Sequence, residues 1–250
     1  MNRQALSIRP AVEAAIPKTA MVMAAGLGKR MRPLTATRPK PLVELAGKPL
    51  IDHVLDRLRA AGVEQVVVNV HYLADALEGH LDTVEGLDIK VSDERRELLE
   101  TGGGLKQALP MIDADPFLAL NSDNFWVDGP CDSLALLASH WDDERMDALL
   151  LLVPHARAHN HNGAGDFHLD REGRVSRRAR CKIAPYVFTG IQIMSKRLLR
   201  DAPDGAFSTN ILWDRAIEEG RLFGAVHQGL WFDVGTPRAI TQTEILLLDE

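Results

Sequence analysis

Two sets of residues in this chain have the types and spacing needed for chemistry at phosphorus. The first lies in residues 21–41, MVMAAGLGKRMRPLTATRPKP. An apolar run ends in Ala24 and Ala25 and opens into Gly26 and Gly28. Lys29, Arg30 and Arg32 follow at once, and Lys40 stands between Pro39 and Pro41. A strand that runs into a glycine turn exposes backbone N–H groups able to cradle phosphate oxygens. Arginine and lysine just beyond it add full positive charge. The flanking prolines stiffen the Lys40 loop, so less entropy is lost when it binds. Arg32 reads equally well as phosphate contact or solvated charge. No GxxxxGK[ST] string occurs, and Met31 stands where a GxGxxG fingerprint needs its third glycine.

The second set is acidic. Asp123 follows the apolar run in FLALNSDN, and Asp233 lies in LWFDVGTP. Both stand at the ends of predicted strands. Each alone reads as a turn-forming aspartate. Together with the glycine loop they point to Mg2+, which takes one or two carboxylates along with phosphate oxygens and water. Between the two sets lies LETGGGL, residues 99–105. Its three glycines, ahead of a helix predicted from Gly104, would let the backbone approach a flat ring closely and would leave N–H donors at the helix start.

The string AAGLGKRMRPLTATRPKPLVELAGKPLI resembles the signature of the sugar-nucleotide pyrophosphorylases, the nucleotidyltransferases that act on sugar 1-phosphates. Their pattern is roughly (A/G)GxGxRxxPxTxxxPKxLxxxxxxP. Gly26, Gly28, Arg30, Pro33, Thr35, Pro39, Lys40, Leu42 and Pro49 meet every fixed point. WFDVGT matches a second family string, (W/Y)xDxGT, while Ser122 replaces the glycine of the family's GD pair. The resemblance implies attack by a sugar-1-phosphate oxygen on the α-phosphorus of a nucleoside triphosphate, with release of pyrophosphate. It implies Arg30 on the triphosphate, Lys40 on the incoming sugar phosphate, and Asp123 and Asp233 on Mg2+. Ala24, Ala25, Gly26, Gly28 and Lys29 then line the nucleotide, with Glu100, Gly102 and Gly103 at the base. On the sugar side, Gly163 in HNGAGDF and the Thr189–Gly190 pair match family positions, and Asn121 and Asn210 lie where polar pocket residues belong. The family's EKP motif is absent; that region reads RRARCKIAP. A substrate whose hydroxyls are modified would not need its glutamate.

The short form of the chain, LETGGG, the missing EKP and HNGAGDF together resemble the N-acetylmuramate-1-phosphate uridylyltransferases of cell-wall recycling. That likeness runs from about Thr19 to the C-terminus, and it implies UTP and N-acetylmuramic acid 1-phosphate as reactants. Mannose-1-phosphate guanylyltransferases share the N-terminal signature and are the alternative. A non-catalytic, sugar-nucleotide-binding regulatory subunit is the third reading; retention of Arg30, Lys40, Asp123 and Asp233 argues against it.

These residues need a scaffold, and the hydrophobic pattern supplies one. Apolar runs at 20–25, 65–70, 87–91 and 117–120 alternate with helical spacing after Pro49, at 73–81 and from Gly104. That rhythm predicts a Rossmann-like three-layer α/β/α fold with a mostly parallel central sheet, whose ligands gather at the carboxyl ends of the strands. Residues 164–193 read as a small antiparallel insertion on the sugar side. Strands follow at 222–226 and 230–233, and Thr236 caps a last helix that starts at Pro237. One domain is expected over 19–250, with a nucleotide half to about 125 and a sugar half beyond, preceded by an extension over 1–18.

Composition narrows the partners. The 250 residues carry a formal charge of −6, and the basic residues form no long run, so a nucleic-acid partner is not expected. No apolar stretch has the length of a membrane span. Cys131 and Cys181, far apart and without a secretory signal, are expected to be buried or half-buried and unpaired, in a reduced cytoplasmic protein. His155, His159 and His161 lack partner cysteines and zinc spacing, and are expected on a solvated or sugar-facing loop. The chain is expected to act as a monomer or homodimer.

Overall fold

A computed structural model describes residues 14–248; of the extension expected over 1–18, residues 1–13 lie outside it. β1 (Thr19–Met23) leads through the glycine turn and a short hairpin, β2 (Glu44–Leu45) and β3 (Lys48–Pro49), into α1 (Leu50–Ala60). The alternation continues through β4 (Gln65–Val70), α2 (Ala74–Leu81), β5 (Asp88–Asp93), α3 (Glu100–Ala108) and β6 (Phe117–Asn121). Next come β7 (Asn124–Val127), α4 (Ser133–Ser139), β8 (Ala148–Pro154) and β9 (Ala158–His159). The strands β10 (Phe167–Leu169), β11 (Val175–Arg177) and β12 (Tyr186–Met194) precede α5 (Asn210–Glu218). β13 (Leu222–Val226), β14 (Leu230–Asp233) and α6 (Pro237–Leu248) complete the order.

The main sheet runs β13-β8-β12-β6-β1-β4-β5, with β10 and β11 extending from β12. β6, β1, β4 and β5 pair in parallel, as do β8 and β13. β12 runs antiparallel to β6, β8 and β10. The expected architecture therefore forms, with the antiparallel insertion spliced into the sheet at β12. Strand order reverses at β1, whose neighbours are β4 and β6. The crevice beyond the carboxyl ends of β1 and β6 is where such sheets bind ligands.

Both faces of the sheet are covered, which is why its strands read as continuous apolar runs. Alternate residues divide between two cores. Ala20, Val22, Val66, Val68, Leu118 and Leu120 pack with Ile51, Leu55 and Leu58 of α1 and Leu77 of α2. Met21, Val67, Phe117 and Ala119 pack on the other face with Leu105 of α3 and Leu212 and Trp213 of α5. Each such fully buried aliphatic side chain contributes roughly 1.5–3 kcal/mol. A separate sheet, β7-β14-β9, rests on a third core around Met31, Leu45, Leu50 and Phe232. Thr236 caps α6 as expected, its hydroxyl accepting from Ala239 N at 3.2 Å.

Two expectations are corrected. α3 begins at Glu100, not Gly104, so the glycine triplet lies inside the helix. The reason is a loop at 205–207: Phe207 O accepts from Gly102 N and Gly103 N at 2.8 and 3.1 Å, and a side chain at either glycine would collide with that loop. Of the two cysteines, Cys131 is buried but Cys181 is exposed; both are free. Among the described residues no helix is long and apolar enough to cross a membrane.

Candidate active site

The glycine turn after β1 is held from beneath by buried polar groups. Ala24 N donates to Asn69 Oδ1 at 2.7 Å, and Asn69 Nδ2 donates to Glu94 Oε1 at 2.7 Å. Burial pushes the Glu94 carboxyl above its ordinary range. Further along, Thr35 Oγ1 donates to Gly28 O at 2.9 Å. Gly28 has φ +59°, and a Cβ there would come within 3.1 Å of both Thr35 and Lys40, so only glycine fits. The Thr of the signature thus shapes the loop, while Gly26 lies open, with nothing within 4 Å of where its side chain would be.

The two aspartates meet through strand pairing. β14 lies antiparallel to β7, and Asp233 sits opposite Asn124, the residue after Asp123. Lys40 Nζ forms an ion pair with Asp123. Gly235 N donates to Asp233 Oδ1 at 3.0 Å and orients that carboxylate. The Arg30 guanidinium packs against Gly235. Two basic and two acidic groups from distant parts of the chain therefore share one junction.

Three cavities surround it. The first, about 350 Å³, lies between the Ala24–Gly26 loop, Lys40, Asn69, Glu100, Thr101 and Asp123. The second, about 210 Å³, is bounded by Arg30, Asp123, Asp233, His161, Asp166 and Gly190. The third, about 240 Å³, has Gln192, Thr209, Asn210 and Trp213 on its walls. Asp123 borders the first two, and Asn121 borders all three.

A family model described as "Nucleotidyl transferase" matches residues 19–250. The chain belongs to this family. It is 46% identical over 237 residues to the N-acetylmuramate alpha-1-phosphate uridylyltransferase of Caulobacter vibrioides, covering 93% of this chain and 98% of the relative. It is 36% identical over 230 residues to the protein of that name from Neisseria meningitidis, covering 91% and 97%. Among solved structures, the inositol-1-phosphate CTP transferase from T. maritima superposes with a TM-score of 0.75 at 19% identity, over 94% of this chain and 96% of that one. That likeness speaks for the fold. The family expected from the signature is borne out.

Within this family member, Ala24, Ala25, Gly26, Arg30, Lys40, Glu100, Asn121, Asp123, Thr189, Gly190, Asn210 and Asp233 all line one of the three cavities. Thr189 does so by its backbone: its hydroxyl donates to Leu151 O at 2.8 Å. Gly190 sits at a bulge in β12 with φ +82°, and a Cβ there would lie 2.6 Å from Asn121 Nδ2 and Asn124 Oδ1. Five expected residues lie elsewhere. Lys29 is exposed, and Gly28 shapes the loop without lining it. Gly102 and Gly103 serve the packing of α3 on the 205–207 loop, and their N–H groups are already taken. Gly163 lies behind His161, and its carbonyl meets His155 Nε2 at 2.7 Å.

Two of the three histidines pack together: the rings of His155 and His161 meet edge-on with centroids 5.8 Å apart. His159 stacks on Phe232 at 4.9 Å. His161 lines the second cavity, with Nε2 buried and unpartnered. Asn69, Glu94, Thr101, Asp166, Gln192 and Thr209 escaped the sequence reading. Asn69 carried a signal: it is the one polar residue inside the apolar run VVVNV.

Proposed function

We propose that this chain transfers a uridylyl group from UTP to N-acetylmuramate α-1-phosphate, giving the UDP-sugar and pyrophosphate. The observation that carries the proposal is Asp123 on the shared wall of two cavities, with Lys40 beside it on one side and Arg30 on the other. The first cavity takes the base and ribose and the second the sugar ring, so the phosphates of both reactants meet at the junction, within reach of Lys40 and of Arg30. All reactants are anions, and the reaction asks for positioning and charge stabilisation more than covalent chemistry. Lys40 holds the phosphate that attacks. Arg30, whose fork suits phosphate oxygens, takes up charge developing on the departing pyrophosphate. The first cavity binds the base and ribose between the Ala24–Gly26 loop and the Glu100–Thr101 turn.

Asp123 and Asp233 would hold Mg2+. Of the three carboxylates on the wall of the second cavity, Asp166 already accepts from Phe188 N at 2.9 Å; the remaining pair, Asp123 and Asp233, suits an ion that keeps water and phosphate oxygens in its shell. When bound, it neutralises charge on the phosphates. The two uridylyltransferase relatives support the choice of UTP and of the sugar, and a UTP donor suits a cytoplasmic enzyme.

The test is the initial rate of pyrophosphate release across four nucleoside triphosphates and several sugar 1-phosphates. UTP with N-acetylmuramate 1-phosphate is expected to give the highest kcat/KM. GTP with mannose 1-phosphate as the best pair would overturn the assignment.

A further inference from the structure

The third cavity has a chemistry of its own. Every side chain lining it is uncharged. Phe188 and Trp213 form an apolar corner, with ring centroids 4.9 Å apart in an edge-on arrangement. Gln192 and Thr209, only 6% and 4% exposed, supply polar groups. The Thr209 hydroxyl is buried and has no hydrogen-bond partner, which is unfavourable unless a ligand completes it. Gln192 Oε1 accepts from Trp213 Nε1 at 3.1 Å. That bond fixes the amide and leaves its Nε2 as the free donor. Outside, Arg177 lies over the Trp213 ring at 5.6 Å and pairs with Asp214 at 2.7 Å, holding the indole in place. The cavity shares Asn121, Phe188 and Gly190 with the second cavity, which takes the sugar, and borders the nucleotide cleft at Met23, Thr101, Asn121 and Ser208.

We propose that this cavity is the subsite for the acetamido group of the sugar 1-phosphate. The inference rests on the function proposed above. An acetamido carbonyl accepts from Gln192 Nε2, its N–H donates to Thr209 Oγ1, and its methyl packs into the Phe188–Trp213 corner. The lactyl carboxylate of N-acetylmuramate does not suit this place, because an ionised group buried among uncharged side chains is strongly disfavoured. A site built to pair both ends of an amide discriminates against sugars that lack one.

The experiment compares N-acetylmuramate 1-phosphate with its free-amine counterpart, muramate 1-phosphate, at saturating UTP. It uses the wild type, Thr209→Val, Thr209→Ser and Gln192→Met. Thr209→Val keeps the side-chain shape and breaks no protein hydrogen bond. It is expected to raise KM for the acetamido sugar about tenfold, the loss of one hydrogen bond, with little change in KM for the amine or for UTP. Thr209→Ser should restore the wild-type value, and Gln192→Met should repeat the selective loss. Equal changes for both sugars, or none in Thr209→Val and Gln192→Met, would overturn the subsite while leaving uridylyl transfer to N-acetylmuramate 1-phosphate intact. Failure of the wild type to use that sugar at all, with turnover of an amide-free sugar 1-phosphate instead, would remove the function and the subsite together.

Discussion

The two sides of the cleft, proposed above to take nucleotide and sugar, are built differently. On the nucleotide side, polar groups near the cleft are already satisfied by the protein. Ala24 N, Asn69, Glu94 and Leu99 N form one chain of hydrogen bonds, and Thr35 ties Gly28. On the sugar side, buried polar atoms are left without partners: His161 Nε2 beside the second cavity and Thr209 Oγ1 beside the third. The difference follows from what each side must do. A triphosphate presents the same oxygens whatever its base, so a rigid, pre-satisfied loop binds it with little reorganisation. A sugar is recognised by its substituents, and unpaired groups that only the right substituent completes give the larger discrimination.

The comparison is sharpened first at the junction that both sides share. Asp123→Asn is expected to lower kcat by about 10³-fold, the scale of several kcal/mol of lost phosphate charge stabilisation, while the Tm stays near wild type. Wild-type-like turnover would end the assignment of Asp123 to Mg2+. Arg30→Ala should lower kcat by about 10²-fold, as for loss of one preorganised charge-stabilising group. An unchanged single-turnover rate would make Arg30 a bystander. Gly190→Ala probes the sugar side most directly, since Gly190 lines the second and third cavities but not the first. Its φ of +82° and the two asparagines at 2.6 Å predict a loss of about 1–3 kcal/mol in stability, and a KM rise for the sugar larger than that for UTP. Equal rises in both would mean that the bulge serves the whole cleft.

The same contrast decides what was legible in the sequence. The glycine loop is contiguous, so residue types at fixed spacing picked out Ala24, Gly26, Arg30 and Lys40, all of which line the cavities. Asp233 was legible from its own string, but its nearness to Asp123 was not. That depends on β14 pairing with β7 in one register, more than 100 residues away. LETGGG was misread because three glycines serve close packing as readily as close ligand approach; only the partner loop at 205–207 tells them apart. Thr189 looked like a sugar contact, yet its hydroxyl turns back to β8. Thr209 gave no local signal, and Gln192 gave only the kind Asn69 did, a lone polar residue in the apolar run GIQIM; their cavity exists only where β12 and α5 come together.

The smallest effect tests whether the nucleotide side is as settled as its hydrogen bonds suggest. Glu94, 2% exposed, accepts from Asn69 Nδ2 at 2.7 Å and from Leu99 N at 3.2 Å, but burial dominates and raises its pKa. In the unfolded chain the carboxyl loses its proton as pH rises through about 4.5; in the folded protein it does so later. Folded protein therefore binds more protons in that window, and stability falls as pH rises through it. The full contribution is present below the unfolded value and gone above the folded one. Glu94→Gln keeps an acceptor for Asn69 and removes the titration. The Tm of wild type relative to Glu94→Gln is thus expected to decline from pH 4.5 toward neutrality, with the larger part of any KM change falling on UTP. Parallel Tm curves would show that Asn69 and Leu99 N fully compensate the buried charge. A KM change confined to the sugar would show that the Glu94 chain supports the other side of the cleft.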